Sequence, residues 1–188
     1  MKTQANHVRA GNVIELNNKI YLITKHEIVI PGKGNAVIHF EMKDVVTGTK
    51  NVDRFRTNVS LEVLRLDQQP CSFLYKEGDR YVVMNTETYD QMEVPEEAFG
   101  DKAAFLQEGM EISVKTYEDK ILSTEIPNQV TLEVIETEPV IKGQTVTSSY
   151  KPATCDNGIR VMVPPFIDTG TRIVVKTEDS TYVERAKD

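Results

Sequence analysis

The stretch KHEIVIPGKGNAVIHFEM, residues 25–42, decides how the first part of the chain folds. Apolar and polar residues alternate from Ile38 to Met42, which is the pattern of a half-buried β-strand. An apolar run precedes it and ends at Pro31, whose ring fixes φ and whose missing N–H interrupts a hydrogen-bond ladder. Glycines on both sides of Lys33 supply the backbone freedom of a tight turn. We therefore predict a β-hairpin with Lys33 at its tip.

The tetrapeptide Pro31-Gly32-Lys33-Gly34 places a long cationic side chain between residues without bulk. Flanking strands of five or six residues, at ~3.3 Å per residue, would carry the tip roughly 15–20 Å outward. A phosphate-binding Walker loop is excluded, because its Gly-x-x-x-x-Gly-Lys-Ser/Thr spacing is absent and no helical pattern follows. Taken alone, the tetrapeptide is more typical of a solvated turn with a common surface lysine.

The rest of the chain also shows the sequence pattern of β-strands. Runs rich in Val, Ile, Tyr, Phe and Thr are separated by turn signals, and one short helical stretch is predicted around residues 102–107. The runs form three sets, which predict an all-β protein of three small barrels at residues 1–64, 65–127 and 128–188. Barrel closure suits segments of this size because it removes sheet edges.

Charge is distributed unevenly over these three segments. The chain has a net charge of −7, but residues 1–64 carry nine Lys/Arg against six Asp/Glu, whereas residues 65–127 carry six against fourteen. The first segment is therefore suited to face phosphate, and the middle segment would be repelled by it. An ordinary solvated surface with uneven charge fits the same numbers.

Motifs for catalysis, metal binding and membrane insertion were not found. Neither Gly-x-Ser-x-Gly nor His-Glu-x-x-His occurs, and the three histidines lack ligand spacing, so we expect no enzyme, no cofactor and no metal site. Cys71 and Cys155 lie 84 positions apart and are expected to be buried small hydrophobes. Without an apolar span or a signal-peptide core, the expected location is the cytoplasm, with no membrane partner.

Along nearly its whole length the sequence resembles the bacterial elongation factor P family. The resemblance covers the hairpin tip, its following turn, the middle segment and a C-terminal signature. The residues that carry it are Pro31–Gly34, Thr47-Gly48-Thr49, Phe73-Leu74-Tyr75, Gly100–Ala103, Lys151–Thr154, Gly158, Val163-Pro164, Phe166-Ile167, Gly170 and Tyr182–Arg185.

The resemblance implies an SH3-like (KOW-type) first domain and two OB-type domains, arranged as an L about the shape of tRNA. It implies a monomeric translation factor that binds both ribosomal subunits beside the P-site peptidyl-tRNA and relieves stalling at consecutive prolines. Lys33, with Pro31, Gly32 and Gly34, would reach the peptidyl-transferase centre. Many members carry a modification on this lysine, commonly a β-lysyl extension, so a lysine-modifying enzyme is an expected partner.

By family position, further residues are candidate contacts to tRNA and the ribosome: Arg56, Tyr182 and Arg185, and the loop residues Gly143, Gln144 and Thr145. The loop corresponds to a proposed contact with exit-site mRNA. The chain departs from the family at three places. Ile30 stands where many members have lysine, Gln144 stands in place of an aspartate, and residues 148–150 replace a glycine-rich stretch.

Two alternatives share much of this pattern. One is the elongation factor P-like paralogue, against which the intact Gly32-Lys33-Gly34 tip argues. The other is a general single-stranded RNA-binding OB protein, which would need basic grooves with stacking aromatics where the chain is instead acidic.

Overall fold

Antiparallel β-strands make up most of the structure. The computed structural model of the chain describes residues 1–139 and 149–187. The first sheet has the order β1-β6-β2-β3-β4-β5. Its strands are β1 (Lys2–Gln4), β2 (Val13–Leu16), β3 (Lys19–Val29), β4 (Val37–Asp44), β5 (Lys50–Arg56) and β6 (Ser60–Leu64).

Two five-stranded sheets follow, in the orders β11-β10-β7-β8-β9 and β14-β13-β12-β15-β16. The strands of the second sheet are β7 (Asp67–Glu77), β8 (Arg80–Asn85), β9 (Gln91–Pro95), β10 (Glu111–Tyr117) and β11 (Lys120–Glu125). Those of the third are β12 (Gln129–Thr137), β13 (Lys151–Cys155), β14 (Arg160–Val163), β15 (Arg172–Lys176) and β16 (Thr181–Arg185). The all-β prediction, with three β sets, is confirmed.

The chain divides into two compact units, residues 1–69 with 114–124 and residues 70–113 with 125–188. Strands β7 and β10 are long, and each contributes residues to both units. The predicted domain boundaries at 64 and 127 therefore remain predictions. No helix in the described parts of the chain is long and apolar enough to span a bilayer.

The first unit is organised around the inner face of its six-stranded sheet. Ile23 from β3 and Ile38, Phe40 and Met42 from β4 are almost completely buried. The ring of Phe40 lies 5.9 Å, centroid to centroid, from the ring of Phe55 on β5. Alternate residues of the quoted stretch thus face the core, as the period of two predicts.

A buried carboxylate fixes the turn between β4 and β5. Asp44 accepts hydrogen bonds from the backbone N–H groups of Val46 (2.8 Å) and Thr47 (3.1 Å). These bonds hold the pKa of Asp44 below its ordinary value of 3.8, because they favour the charged form. The turn sets the register in which Lys43 pairs with Lys50 and, at the other end, Val37 pairs with Arg56.

In the second unit, a helical segment is anchored to the third sheet. Phe105 is 4% exposed and packs in one cluster with Leu132, Val161 and Ile173. Asn157 donates from its side chain to the carbonyl oxygen of Ala104 at 3.0 Å. The buried Phe105 ring and the hydrogen bond from Asn157 hold the helical segment against the third sheet.

The helical segment begins earlier than the sequence predicted. An α-helical turn, α1, spans Glu96–Phe99, and a 3-10 helix spans Gly100–Phe105. Pro95 precedes the turn, and the acidic residues in its first turn suit the positive end of a helix. Gly100 ends it with φ +56. Helix propensity pointed to residues 102–107, but the segment begins directly after Pro95, whose fixed φ suits the start of a helix.

We expect Phe105→Ala to lower the free energy of unfolding of the second unit by about 3–5 kcal/mol, because it leaves a cavity in the core. Urea unfolding monitored by far-UV circular dichroism measures this loss. The control is Ile135→Thr, which changes a side chain 53% exposed on β12. It should alter stability by only about 0.5 kcal/mol. Equal effects of the two substitutions would contradict the assigned role of Phe105.

Candidate functional site

The hairpin that carries Lys33 is formed by β3 and β4. Their ladder pairs Tyr21 with Asp44 at one end and Val29 with Val37 at the other. A register shift at Thr24 interrupts the ladder, and the Thr24 hydroxyl donates to the carbonyl oxygen of Glu41 at 3.0 Å. The predicted hairpin is therefore present, with a bulge in β3.

A third strand supports this hairpin. Strand β5 pairs with β4 along residues 37–43, so β4 is hydrogen-bonded on both sides up to the level of Val37. One further bond, from the N–H of Thr57 to the carbonyl oxygen of Ala36 at 3.3 Å, continues the pairing toward the tip. An isolated two-stranded hairpin is marginally stable in water, and a third strand makes the ribbon stiffer.

We call the hairpin of β3, β4 and the connecting residues 30–36, with the supporting strand β5, the arm. A histidine near its base attaches it to the rest of the first unit. His26 accepts a hydrogen bond at Nδ1 from the backbone N–H of Ala10 at 3.1 Å. Burial and the nearby Arg9 guanidinium lower the pKa of His26. The neutral imidazole is the form that can accept this bond, so the bond and the lowered pKa agree.

Residues 30–36 connect the two strands and present Lys33 to solvent. Pro31, Gly32, Lys33 and Gly34 are all exposed. Within residues 1–139 and 149–187, no hydrogen bond or ion pair holds the Lys33 ammonium. Ile30, the departure noted in the sequence, is 79% exposed. The tip is thus a solvated loop whose central cation is available to a partner.

The two tip glycines have different conformations. Gly34 has φ +114, where a side chain is strained, and a Cβ there would lie 3.8 Å from the Pro31 ring. Gly32 has no positive φ, and a Cβ would meet nothing within 4 Å. The conformation of the tip therefore requires glycine at position 34 and tolerates a side chain at position 32.

Arg56 lies on the outer face of the arm, together with an arginine that the sequence reading missed. Val29, Val37 and Arg56 are directly opposite one another across β3, β4 and β5, and so are Glu27, His39 and Arg54. Both arginines are exposed. The strand period of two could have revealed Arg54, because residues two apart in a strand share a face.

Tyr182 and Arg185 lie close together on the edge strand β16. Tyr182 pairs with Val175, and Arg185 pairs with Ile173, and both partners are buried. The two side chains therefore project from the core-facing side of the sheet. Gly143, Gln144 and Thr145 lie outside the described residues.

Two aromatic residues that the sequence reading did not assign to the site accompany this pair. The guanidinium carbon of Arg185 lies 5.5 Å from the centroid of the Phe166 ring. The ring of Tyr150 meets that of Tyr182 edge to face, at 6.4 Å between centroids and an interplanar angle of 86°. We call Tyr150, Phe166, Tyr182 and Arg185 the aromatic platform. Spacing along the sequence gives no signal for this grouping.

The described residues include no cluster of three His, Cys, Asp or Glu side chains that could hold a metal ion. Cys71 and Cys155 are buried free thiols, as expected. Burial raises the pKa of Cys71, and burial together with Asp156 raises the pKa of Cys155 to about 11. Both thiols stay protonated at neutral pH, and a protonated thiol is a poor nucleophile.

Three family models match consecutive parts of the chain. They are described as the elongation factor P KOW-like domain (residues 4–61), the elongation factor P OB domain (66–124) and elongation factor P, C-terminal (130–185). Elongation factor P of Rhodospirillum centenum is 53% identical over 188 residues, which cover all of both chains. The chain belongs to the elongation factor P family.

Other elongation factor P sequences agree. That of Acidiphilium cryptum is 50% identical over 187 residues, and that of a Chelativorans species is 48% identical over 186 residues, 99% of this chain and 100% of the relative. Among solved structures, eukaryotic translation initiation factor 5A from Methanococcus jannaschii is 21% identical. It has a TM-score of 0.37 and covers 66% of this chain and 95% of that chain. As an elongation factor P family member, the chain is a translation elongation factor.

The conformations of the two tip glycines lead to a paired prediction. Gly34→Ala should be strained by about 1–3 kcal/mol, because φ +114 is unfavourable for a side chain. The tip should relieve that strain by changing shape, which NMR chemical shifts of residues 30–36 would report. Gly32→Ala is the matched control and should leave those shifts nearly unchanged. Similar shift changes in both variants would show that Gly34 has no special conformation.

Proposed function

We propose that this elongation factor binds the ribosome beside the P-site peptidyl-tRNA and stimulates peptide-bond formation where consecutive prolines slow it. The observation that supports the proposal is the exposed Lys33 at the end of a ribbon that β5 stiffens. Lys33 would reach the peptidyl-transferase centre, while the bodies of the two units contact tRNA and both ribosomal subunits.

The chemistry proposed for Lys33 is positioning and charge. Proline is a poor partner in peptide-bond formation, because its ring restricts the geometry of attack. A cation with hydrogen-bond donors beside the CCA end of the tRNA would hold that end in a reactive pose. In ideal model systems positioning contributes up to ~7–11 kcal/mol, and we expect much less here. The factor itself makes and breaks no bond, so it acts as a stimulator and not as an enzyme.

The double pairing of β4 supports a positioning role for Lys33. Strand β4 is paired on both sides to within four residues of Lys33, so the loop that carries Lys33 is short and begins and ends on regular strands. The exposed arginines Arg54 and Arg56 on the outer face of the ribbon are suited to contact RNA phosphates along its length. Together they give the arm an orientation on RNA as well as a cationic tip.

Other parts of the proposal follow from family membership. A lysine-modifying enzyme would act on the exposed Lys33, extending its reach. The loop with Gly143, Gln144 and Thr145 would contact exit-site mRNA through hydrogen bonds. The factor would work as a monomer, in the cytoplasm, where ribosomes are found.

Translation in vitro of a reporter containing Pro-Pro-Pro tests the role of Lys33. Wild type should relieve the stall, and Lys33→Ala should lower the rate of the stalled step by about tenfold, equivalent to ~1.4 kcal/mol of activation free energy. Lys50→Ala is the matched control, since Lys50 is an exposed lysine at the far end of β5. It should behave as wild type.

Equal stalling with and without the wild-type protein would refute the proposed function. A paralogue with another role would bind ribosomes without relieving the stall, and a general RNA-binding protein would bind unstructured RNA as well as ribosomes. Intact mass and peptide mapping of the fragment containing Lys33 would report its modification in the same preparation.

Salt dependence tests the arginines of the arm. Each of Arg54→Ala and Arg56→Ala should weaken ribosome binding and reduce the slope of log affinity against log salt by roughly 1, because one phosphate contact is lost. Arg80→Ala is the control, since Arg80 is an exposed arginine in the acidic middle segment. Unchanged slopes for the two arm variants would contradict phosphate contact by this face.

A further inference from the structure

The aromatic platform combines exposure with rigid support. Tyr150 is 53% exposed and Phe166 is 58% exposed, although Tyr150 contacts another ring and Phe166 contacts a cation. Tyr182, whose ring contacts Tyr150, packs partly against the buried core of the third sheet. The core therefore immobilises the side chain that Tyr150 contacts, while Phe166 is in contact with Arg185.

The backbone beside each exposed platform ring is anchored at the next residue along the chain. Tyr150 directly precedes β13, whose first residue Lys151 pairs with Val163 and donates from its ammonium to the carbonyl oxygen of Glu138. Phe166 directly precedes Ile167, which is fully buried. Little conformational entropy would thus be lost when a partner binds to these rings.

The chemistry of the platform favours RNA over an apolar protein surface. The Arg185 guanidinium lies over the Phe166 ring in a cation–π contact, and its N–H groups can donate to a phosphate. Tyr150 meets Tyr182 edge to face and is still 53% exposed, so part of the Tyr150 ring surface is open to a partner. A base can stack on an aromatic face while arginine binds the adjacent backbone.

The hydroxyl of Tyr182 adds a hydrogen-bond donor to the same surface. Burial raises the pKa of Tyr182, the neighbouring Tyr150 and Glu184 raise it further, and Arg185 opposes them. The hydroxyl stays protonated at neutral pH. Glu184 alternates with Arg185 along β16 and pairs with Val174, so its carboxylate projects from the opposite face of the strand.

We propose that Tyr150 and Phe166 complete an RNA-binding surface on the third sheet, in which an unpaired base stacks on the exposed rings and Arg185 binds the adjoining phosphate. This inference rests on the proposed function for the source of the RNA, which would be tRNA or ribosomal RNA. It assigns Tyr150 and Phe166 to RNA binding. The sequence predicted only Tyr182 and Arg185 as contacts, by their family position.

Binding of the full chain to ribosomes with deacylated tRNA in the P site tests this assignment, measured by co-sedimentation. Losing one base–aromatic stack should weaken binding by roughly fivefold to a hundredfold in Tyr150→Ala and in Phe166→Ala. Tyr150→Phe keeps the ring and should remain within about twofold of wild type. Tyr75→Ala removes another exposed tyrosine of the same unit, 47% exposed, and serves as the control.

A second assay without ribosomes uses fluorescein-labelled tRNA and fluorescence anisotropy. If the wild-type protein bound neither ribosomes nor ribosomes stalled on the reporter, the proposed function would be refuted. Binding of tRNA that is lost in Tyr150→Ala would still support the platform. Equal behaviour of wild type and Tyr150→Ala in both assays would overturn the platform and leave the role of Lys33 intact.

Photocrosslinking identifies the partner. With p-benzoylphenylalanine replacing Tyr150 in the ribosome complex, a crosslink to tRNA or ribosomal RNA supports the inference. A crosslink to a ribosomal protein instead would overturn it, because the rings would then be occupied by a protein surface.

Discussion

Strand β4 is paired on both of its edges, and the position of the tip depends on this double pairing. From Val37 to Lys43 each residue of β4 is opposite a residue of β3 on one side and of β5 on the other. Alternate side chains of β4, from Ile38 to Met42, are buried in the core, so the strand is fixed by packing as well as by hydrogen bonds. The direction in which the tip extends is therefore set by β4. If the turn at Asp44 changed the pairing of β4 with β5 by one residue, Arg54 and Arg56 would move to the opposite face of the sheet.

The sequence predicted those features that depend on local periodicity and on the chemistry of single residues. The period of two located the arm strands, and Pro31 with its neighbouring glycines located the exposed tip. The burial of both cysteines followed from their apolar character. These features are determined by residues close together in the chain, which is why one sequence sufficed.

What the sequence could not predict depends on residues brought together by folding. The packing of Phe166 with Arg185, and of Tyr150 with Tyr182, joins segments 19 and 32 positions apart through sheet pairing that no local pattern encodes. The helical segment was placed too late, because the fixed φ of Pro95 and the burial of Phe105 outweigh helix propensity. The division into three domains and the contacts of residues 143–145 remain predictions.

The burial of both native cysteines has a practical consequence for spectroscopy. Cys71 and Cys155 are each 1% exposed or less, so burial shields them from maleimides, and it also raises the pKa of both thiols. A single cysteine introduced at an exposed site would therefore take a dye selectively, with no need to remove the native pair. The protein is thus already suited to single-molecule fluorescence, with a donor near the ribbon or on the third sheet reporting arrival and departure in real time.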